Sequence, residues 1–153
     1  MPILSEEEFV KSLKSDDRLL GLDIGTKTIG VAFGAVMAGF ASPLQVIKRT
    51  KIAKDAEILK KLMAEYSVAG MVVGWPLNID GTEGGRCQAT RDVLLEIMKY
   101  ITDLPVVFYD ERFSTKKAEH FMIDEIDLSR KKRGKIVDKM AAQIILQDFL
   151  DRY

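Results

Sequence analysis

Cysteine and histidine are nearly missing from this chain: one of each occurs in 153 residues. Cys87 alone forms no internal disulfide, and Cys87 with His120 cannot fill the four Cys or His positions usual in a structural zinc site. A Ser-His-Asp or Cys-His active site would have to use His120. Metal chemistry, if any, must be oxygen chemistry built on carboxylates and suited to Mg²⁺ or Mn²⁺. Long apolar runs are missing as well, all far below the roughly 18–20 residues of a membrane span. The opening MPILSEEEFVKSLKSDD is acidic and lacks the basic start and apolar stretch of a secretory signal. The expectation is a soluble, cytoplasmic protein with no membrane partner. Charge of one sign is lacking too, since 23 basic residues balance 23 acidic ones.

What is present suits one globular domain. About half the residues are apolar (47%) and 30% are charged, which fits neither disorder, collagen nor coiled coil. A chain of this length buries roughly 68–70% of the surface its unfolded form exposes. The balanced charge is arranged in blocks. Lys48, Arg49, Lys51, Lys54, Lys60 and Lys61 outnumber Asp55 and Glu57, and residues 130–135 read RKKRGK. Glu119, Asp124, Glu125 and Asp127 form an acidic stretch. The basic blocks permit a nucleic-acid partner without the total demanding one.

The patterning predicts the order β-β-β-α-β-α-β-α with helical extras. Ser5 to Glu8 is a capping box, so a short helix starts there and ends near Lys14–Asp17. Arg18–Asp23 and Ile29–Phe33 read as strands around the turn IGTKT. Residues 40–47 read as a third strand, with Pro43 assigning it a less demanding position. Ala56, Leu59, Leu62, Met63 and Tyr66 recur at helical spacing within 54–66. Val68–Gly74 and Pro105–Tyr109 are strands, and 76–87 is a loop rich in Gly, Asn and Asp. Residues 88–102 read as a helix, Ser114 caps another to about Met122, and 124–135 read as polar and mobile. A last helix over 136–150 turns Val137, Met140, Ala141, Ile144 and Ile145 inward. Short links among the first three strands imply antiparallel pairing, and later alternation with helices implies parallel crossovers.

The residues that carry chemistry are few. Asp23 sits in an apolar strand, where a carboxylate is costly unless paired, protonated or bound to metal; otherwise it caps the turn. Gly21, Gly25 and Gly30 let backbone or a phosphate come close. Asp80 is either an acid of the site or ordinary Asp-Gly turn chemistry. Asn78, Gly81, Thr82, Gly84, Gly85 and Arg86 offer phosphate donors at a helix start, or make a plain surface loop. RKKRGK reads as a phosphate-binding arm or as a solvated loop. Trp75 stacks a base or packs in the core.

Four segments in order carry a resemblance: LGLDIGTKTIGVA (20–32), VGWPLNIDGTEG (73–84), YDERFST (109–115) and KIVDKMAAQIIL (135–146). They resemble the DxGT, G-x-P-x-x-x-x-G-x-x-G, DERxST and D-x-x-A-A-x-x-I-L motifs of the YqgF/RuvX family, within the ribonuclease H-like superfamily. Thr28 stands where that family often has Arg, Gly34 and Ala35 where an acid often follows the second strand, and Trp75-Pro76 where related nucleases often have an acid. The resemblance implies an α/β, ribonuclease H-like fold: a five-stranded mixed sheet in order 3-2-1-4-5, flanked by helices. Residues 18–153 would form the nuclease domain and 1–17 an N-terminal helical extension.

It also implies a nuclease using Mg²⁺ or Mn²⁺, with Asp23, Glu111 and Asp138 as metal ligands. Asp110 is the fourth catalytic candidate, or instead pairs with Arg112 or caps a turn. Lys27, Asn78, Arg112, Ser114, Arg130, Lys131, Lys132 and Arg133 are the substrate-binding candidates, beside Thr115. Ser114 also explains itself as a helix cap. The family is associated with 5′-end maturation of precursor 16S ribosomal RNA and has been proposed to resolve Holliday junctions. Nucleic acid is the implied partner, precursor rRNA ahead of branched DNA, with the ribosome or its precursor in reach and a monomer or homodimer as the assembly. Two other classes stay open. One is a non-catalytic ribosome-assembly module. The other is an ATP-binding lobe, since LDIGTKTIGVA also resembles the phosphate loop of actin-like ATPases, which need two such lobes.

Overall fold

A computed structural model describes residues 3–78, 80–101, 104–110 and 130–152, the first ten of the last segment by backbone alone. The elements are β1 (Ile3–Leu4), α1 (Glu6–Ser12), β2 (Arg18–Ile24), β3 (Thr28–Ala35), β4 (Phe40–Lys48), α2 (Ile52–Glu65), β5 (Gly70–Trp75), α3 (Gly85–Met98), β6 (Val106–Asp110) and α4 (Arg130–Arg152). The capping box forms as its residues predict. Ser5 Oγ accepts from the Glu8 N–H at 3.2 Å, and the Ser5 N–H donates to Glu8 Oε1 at 3.3 Å.

One sheet runs in the order β1-β6-β5-β2-β3-β4. The β2/β3 and β3/β4 pairs are antiparallel, and the β2/β5, β5/β6 and β1/β6 pairs are parallel. Five strands thus take the expected order, and the expected count of five is corrected to six. The extra strand, Ile3–Leu4, pairs with Val106 and Val107. Two residues are too few to show an alternation, so only the β6 edge makes them a strand. Pro43 does lie on an edge strand. Its register against β3 slips, with Val31 opposite Gln45 and Ala32 opposite Pro43, so Leu44 is bulged out.

Each face of the sheet carries its own core. Leu20, Leu22, Ile24, Val31, Met71, Val73 and Val106 pack on one side against Ala56, Leu59 and Leu62 of α2 and Leu94 and Ile97 of α3. Leu19, Ala32, Val72, Val107 and Tyr109 pack on the other side with Phe9 of α1 and Ala142, Ile145, Leu146 and Phe149 of α4. Phe149 meets Phe9 and Tyr109 edge to face, at 5.6 and 5.9 Å between ring centres. Burial pushes the Tyr109 hydroxyl up to about 12, partly opposed by Arg152.

Two helical expectations need correcting. The segment 130–135 is helix, not loop, because α4 begins at Arg130; Lys and Arg are good helix formers, and one Gly134 costs only about 1 kcal/mol. Ile144 is half-buried, while Ala142, Ile145, Leu146 and Phe149 fill the interface.

α4 lies close on the sheet and runs against β2. A Cβ on Gly21 would stand 2.8 Å from Leu146 Cβ and 3.0 Å from the Ala142 carbonyl oxygen. A Cβ on Gly34, which pairs with Leu19, would meet Leu150 and Leu146 at 3.0 and 3.2 Å. Moving along β2 from 19 to 21 therefore moves back along α4. Two glutamines tie the helix to β4. Gln147 Oε1 accepts from the Ala41 N–H at 2.9 Å and its Nε2 donates to the Gly39 carbonyl at 2.8 Å, while Gln143 Nε2 donates to the Ala41 carbonyl at 3.1 Å.

Candidate functional site

The parallel strands β2, β5 and β6 end at one side of the sheet, and in such sheets ligands bind beyond the carboxyl ends of the strands. Asp23 is half-buried there, one residue before β2 ends. It shares the α4 face with Leu19 and Gly21 by strand alternation. Its ladder partner is Gly30, which has no side chain to cover it. From Gly21 to Asp23 the strand advances about 6.6 Å, and from Ala142 back to position 138 the helix returns about 6 Å. The antiparallel run of α4 thus carries the backbone at position 138 toward the Asp23 end of the sheet.

Asp110 belongs to the other face. Tyr109 packs on the α4 side, whereas Val106 and Phe108 pack on the α2/α3 side, and Asp110 follows their parity. It is exposed, and its ladder partner is Trp75. Glu111, Arg112, Ser114, Thr115 and His120 lie outside the described residues. Arg130, Lys131, Lys132, Arg133 and Asp138 are described as helical backbone positions. Among the described residues no three His, Cys, Asp or Glu come together.

The loop after β5 is held by its own side chains. Asp80 Oδ1 accepts from the Thr82 N–H at 3.0 Å and the Thr82 hydroxyl at 2.7 Å, so it acts as a turn former. Asn78 Nδ2 donates to Thr82 Oγ1 at 3.0 Å, and its backbone N–H to the Thr82 carbonyl at 2.9 Å. Trp75 packs on Phe108, with ring centres 4.3 Å apart, and the Arg91 guanidinium sits 5.1 Å over its ring. That arrangement is the packing reading of Trp75.

Sequence reasoning did not single out Arg49. Its Nη1 donates to the Gly25 carbonyl at 2.8 Å and the Thr26 carbonyl at 3.2 Å, and its backbone N–H bonds the Lys27 carbonyl at 2.9 Å. It clamps the β2–β3 turn, on whose tip Lys27 is exposed. The strand pairing Thr28 with Lys48 is the signal that places it there.

Against known proteins, residues 17–152 match the family described as "RuvX: Holliday junction resolvase". A relative from Caulobacter vibrioides, named "Putative pre-16S rRNA nuclease", is 48% identical over 152 residues, 99% of this chain and 97% of that one. A relative of the same name from Paramagnetospirillum magneticum is 45% identical over 151 residues, 99% of this chain and 96% of its own. Among solved structures, T. thermophilus RuvC in complex with a Holliday junction substrate aligns with a TM-score of 0.54 at 14% identity, over 89% of this chain and 95% of that one. The fowlpox virus Holliday junction resolvase aligns with a TM-score of 0.54 at 11% identity, over 89% and 99%. At those identities the likeness concerns the fold, which is resolvase-like.

Proposed function

We infer the activity from one premise: this chain belongs to the RuvX family. It is a nuclease that hydrolyses phosphodiester bonds in nucleic acid, and its substrate is precursor 16S ribosomal RNA, processed at the 5′ end. The observation that carries this is 45–48% identity, over 99% of the chain, to relatives named "Putative pre-16S rRNA nuclease"; the 5′ end comes from the family resemblance. The resolvase neighbours share 11–14% of residues, too little to bring their substrate with the fold. Branched DNA is the second reading, favoured by the family's own description. Work on precursor rRNA brings the protein to the ribosome precursor in the cytoplasm. Among the described residues no helix is long and apolar enough to cross a membrane.

The active centre is assigned to Asp23, Glu111 and Asp138, which would hold a divalent cation. The donor chemistry fits: carboxylate oxygens suit Mg²⁺ or Mn²⁺, and the described part of the site offers Asp23 half-buried at a strand end. Bound there, the ion would supply charge stabilisation at the phosphodiester and help activate water. The chain's own residues do the rest. Asp23 fixes the centre on a rigid central strand. Lys27, on the clamped turn, offers a cation to the substrate backbone. Arg112 and Ser114, which follow Glu111 in sequence, are assigned to substrate contact. Asp110, of opposite parity to Asp23, is assigned to the rim and not to the ion.

The test is cleavage of a precursor 16S 5′-end fragment and of a four-way DNA junction. Wild type in Mg²⁺ should cut the RNA, excess chelator should stop it, and Asp23→Asn should lose at least about 100-fold in rate while still binding, because residues acting as a unit fail together. Cleavage undiminished in chelator refutes the metal assignment. Cleavage of the junction alone transfers the reading to DNA.

A further inference from the structure

The geometry points to a phosphate subsite, formed by Arg49 and Arg86 across the sheet end from Asp23, that holds a backbone phosphate of the substrate strand beside the cleavage point. A cleft of about 30 Å³ opens there, lined by Ile24, Gly25, Thr26, Arg49, Arg86 and Thr90 among others. That is room for roughly two waters, which suits phosphate oxygens.

Three observations mark the cleft as an anion site. The first is preorganisation. Arg49 is half-buried and pinned through Nη1 to the Gly25 and Thr26 carbonyls. Two of its five N–H donors are used, leaving three in a fixed fork that matches a phosphate. The ordering of that side chain is complete before any ligand arrives. The second is uncompensated charge. Among the described residues neither Arg49 nor Arg86 has a carboxylate within ion-pair distance, the ion pairs being Lys11–Glu7, Arg91–Glu83 and Lys99–Glu96. The nearest acid in sequence to Arg49 is Asp55. It is fully buried, and its carboxylate accepts from the Thr50 N–H at 3.2 and 3.3 Å and from the Thr50 hydroxyl at 3.1 Å. The third is the surrounding field: Lys27, Lys48, Lys51 and Lys54 are all exposed on this corner.

Position gives the site its use. Ile24 and Gly25 directly follow Asp23, and Ile24 faces the α2/α3 side while Asp23 faces α4. A nucleic-acid strand that presents one phosphate to Asp23 and crosses the 25–27 turn brings a neighbouring phosphate to the two arginines. The cleft therefore sets register and direction of the strand, and contributes affinity independent of base sequence. This inference rests on the nuclease reading for its ligand, and its test is separable from that reading.

The test uses the full chain in excess chelator, so that binding is read without cleavage. A fluorescent single-stranded RNA is titrated by anisotropy across a salt series. Arg86→Gln, an exposed change, should weaken binding about three- to tenfold. It should also flatten the slope of log K against log salt by up to about 0.7, the value of one phosphate on a single strand. Arg49→Lys keeps the charge and loses the fork; it should weaken binding with a nearly unchanged slope. Thermal melting checks that both variants fold. Wild-type affinity and slope in both folded variants would overturn the subsite. If Arg86→Gln flattens the slope while Asp23→Asn still cleaves in Mg²⁺, the subsite stands and the assigned active centre falls.

Discussion

Gly21→Ala tests the close approach of α4 to the sheet, on which the proposed centre depends. The added methyl would meet Leu146 Cβ at 2.8 Å and the Ala142 carbonyl oxygen at 3.0 Å. Neither obstacle is the far end of a flexible side chain, so the helix itself must move by some tenths of an ångström. Overpacking of this kind costs about 1–3 kcal/mol, and removing a strand glycine returns about 0.5–1 kcal/mol. The difference lies between about 0 and 2.5 kcal/mol, and its mid-range, about 1.25 kcal/mol, lowers the melting temperature of a chain of this size by about 2.5–5 °C. Activity should fall as well, at temperatures where the variant is fully folded. The moving helix shifts position 138 relative to Asp23; a misplacement near 1 Å costs on the order of 100-fold in rate, so one of some tenths should cost roughly two- to tenfold. The assay pairs a thermal melt with RNA cleavage well below the variant's melting point. Gly85→Ala is the control, because nothing lies within 4 Å of its Cβ; it should melt at or above wild type. Gly21→Ala melting within about 1 °C of wild type would refute the argument.

Two further outcomes are expected. The Tyr109 hydroxyl is buried with no hydrogen-bond partner among the described residues, and burial pushes its pKa up to about 12. The folded state therefore keeps a proton that the unfolded chain loses near pH 10, and stability falls as pH rises from about 10 through 12. Tyr109→Phe should be no less stable at pH 7 and should lose less stability over that alkaline window, as urea melts at pH 7, 10 and 11.5 would read. Replacing Arg130, Lys131, Lys132 and Arg133 together with Ala should weaken binding to RNA and to DNA alike and flatten the salt slope. An unchanged slope would assign those residues to a solvated helix surface.

What the residues disclosed, and what they hid, follows from range. Strands β2, β3, β5 and β6 are apolar runs bounded by turns, so local pattern sufficed. The edge position of β4 was visible in Pro43, whose missing N–H is a local fact. β1 was invisible because its strand character belongs to β6. The start of α4 reads as loop because RKKRGK has no apolar stripe, although its propensity is helical. Asp23 stood out as a carboxylate in an apolar strand. Arg49 did not, because its meaning depends on a turn 24 residues away in sequence. Ile144 has helical spacing, but only the packing of Ala142, Leu146 and Phe149 selects which stripe faces the sheet.

The glutamines on α4 have a consequence for self-association. A sheet edge with open N–H and C=O groups invites another strand, from a second copy or a misfolded chain. At the start of β4, Gln143 and Gln147 take both backbone groups of Ala41 and the carbonyl of Gly39, as a neighbouring strand would. Two residues on, Pro43 has no N–H to offer, and the bulge at Leu44 interrupts the ladder. Continuation of the sheet into a second molecule is therefore disfavoured at the start of β4. Amide side chains on a helix do here what charged residues or a covering loop do on other edges, and they keep the stacking of chains from competing with the fold.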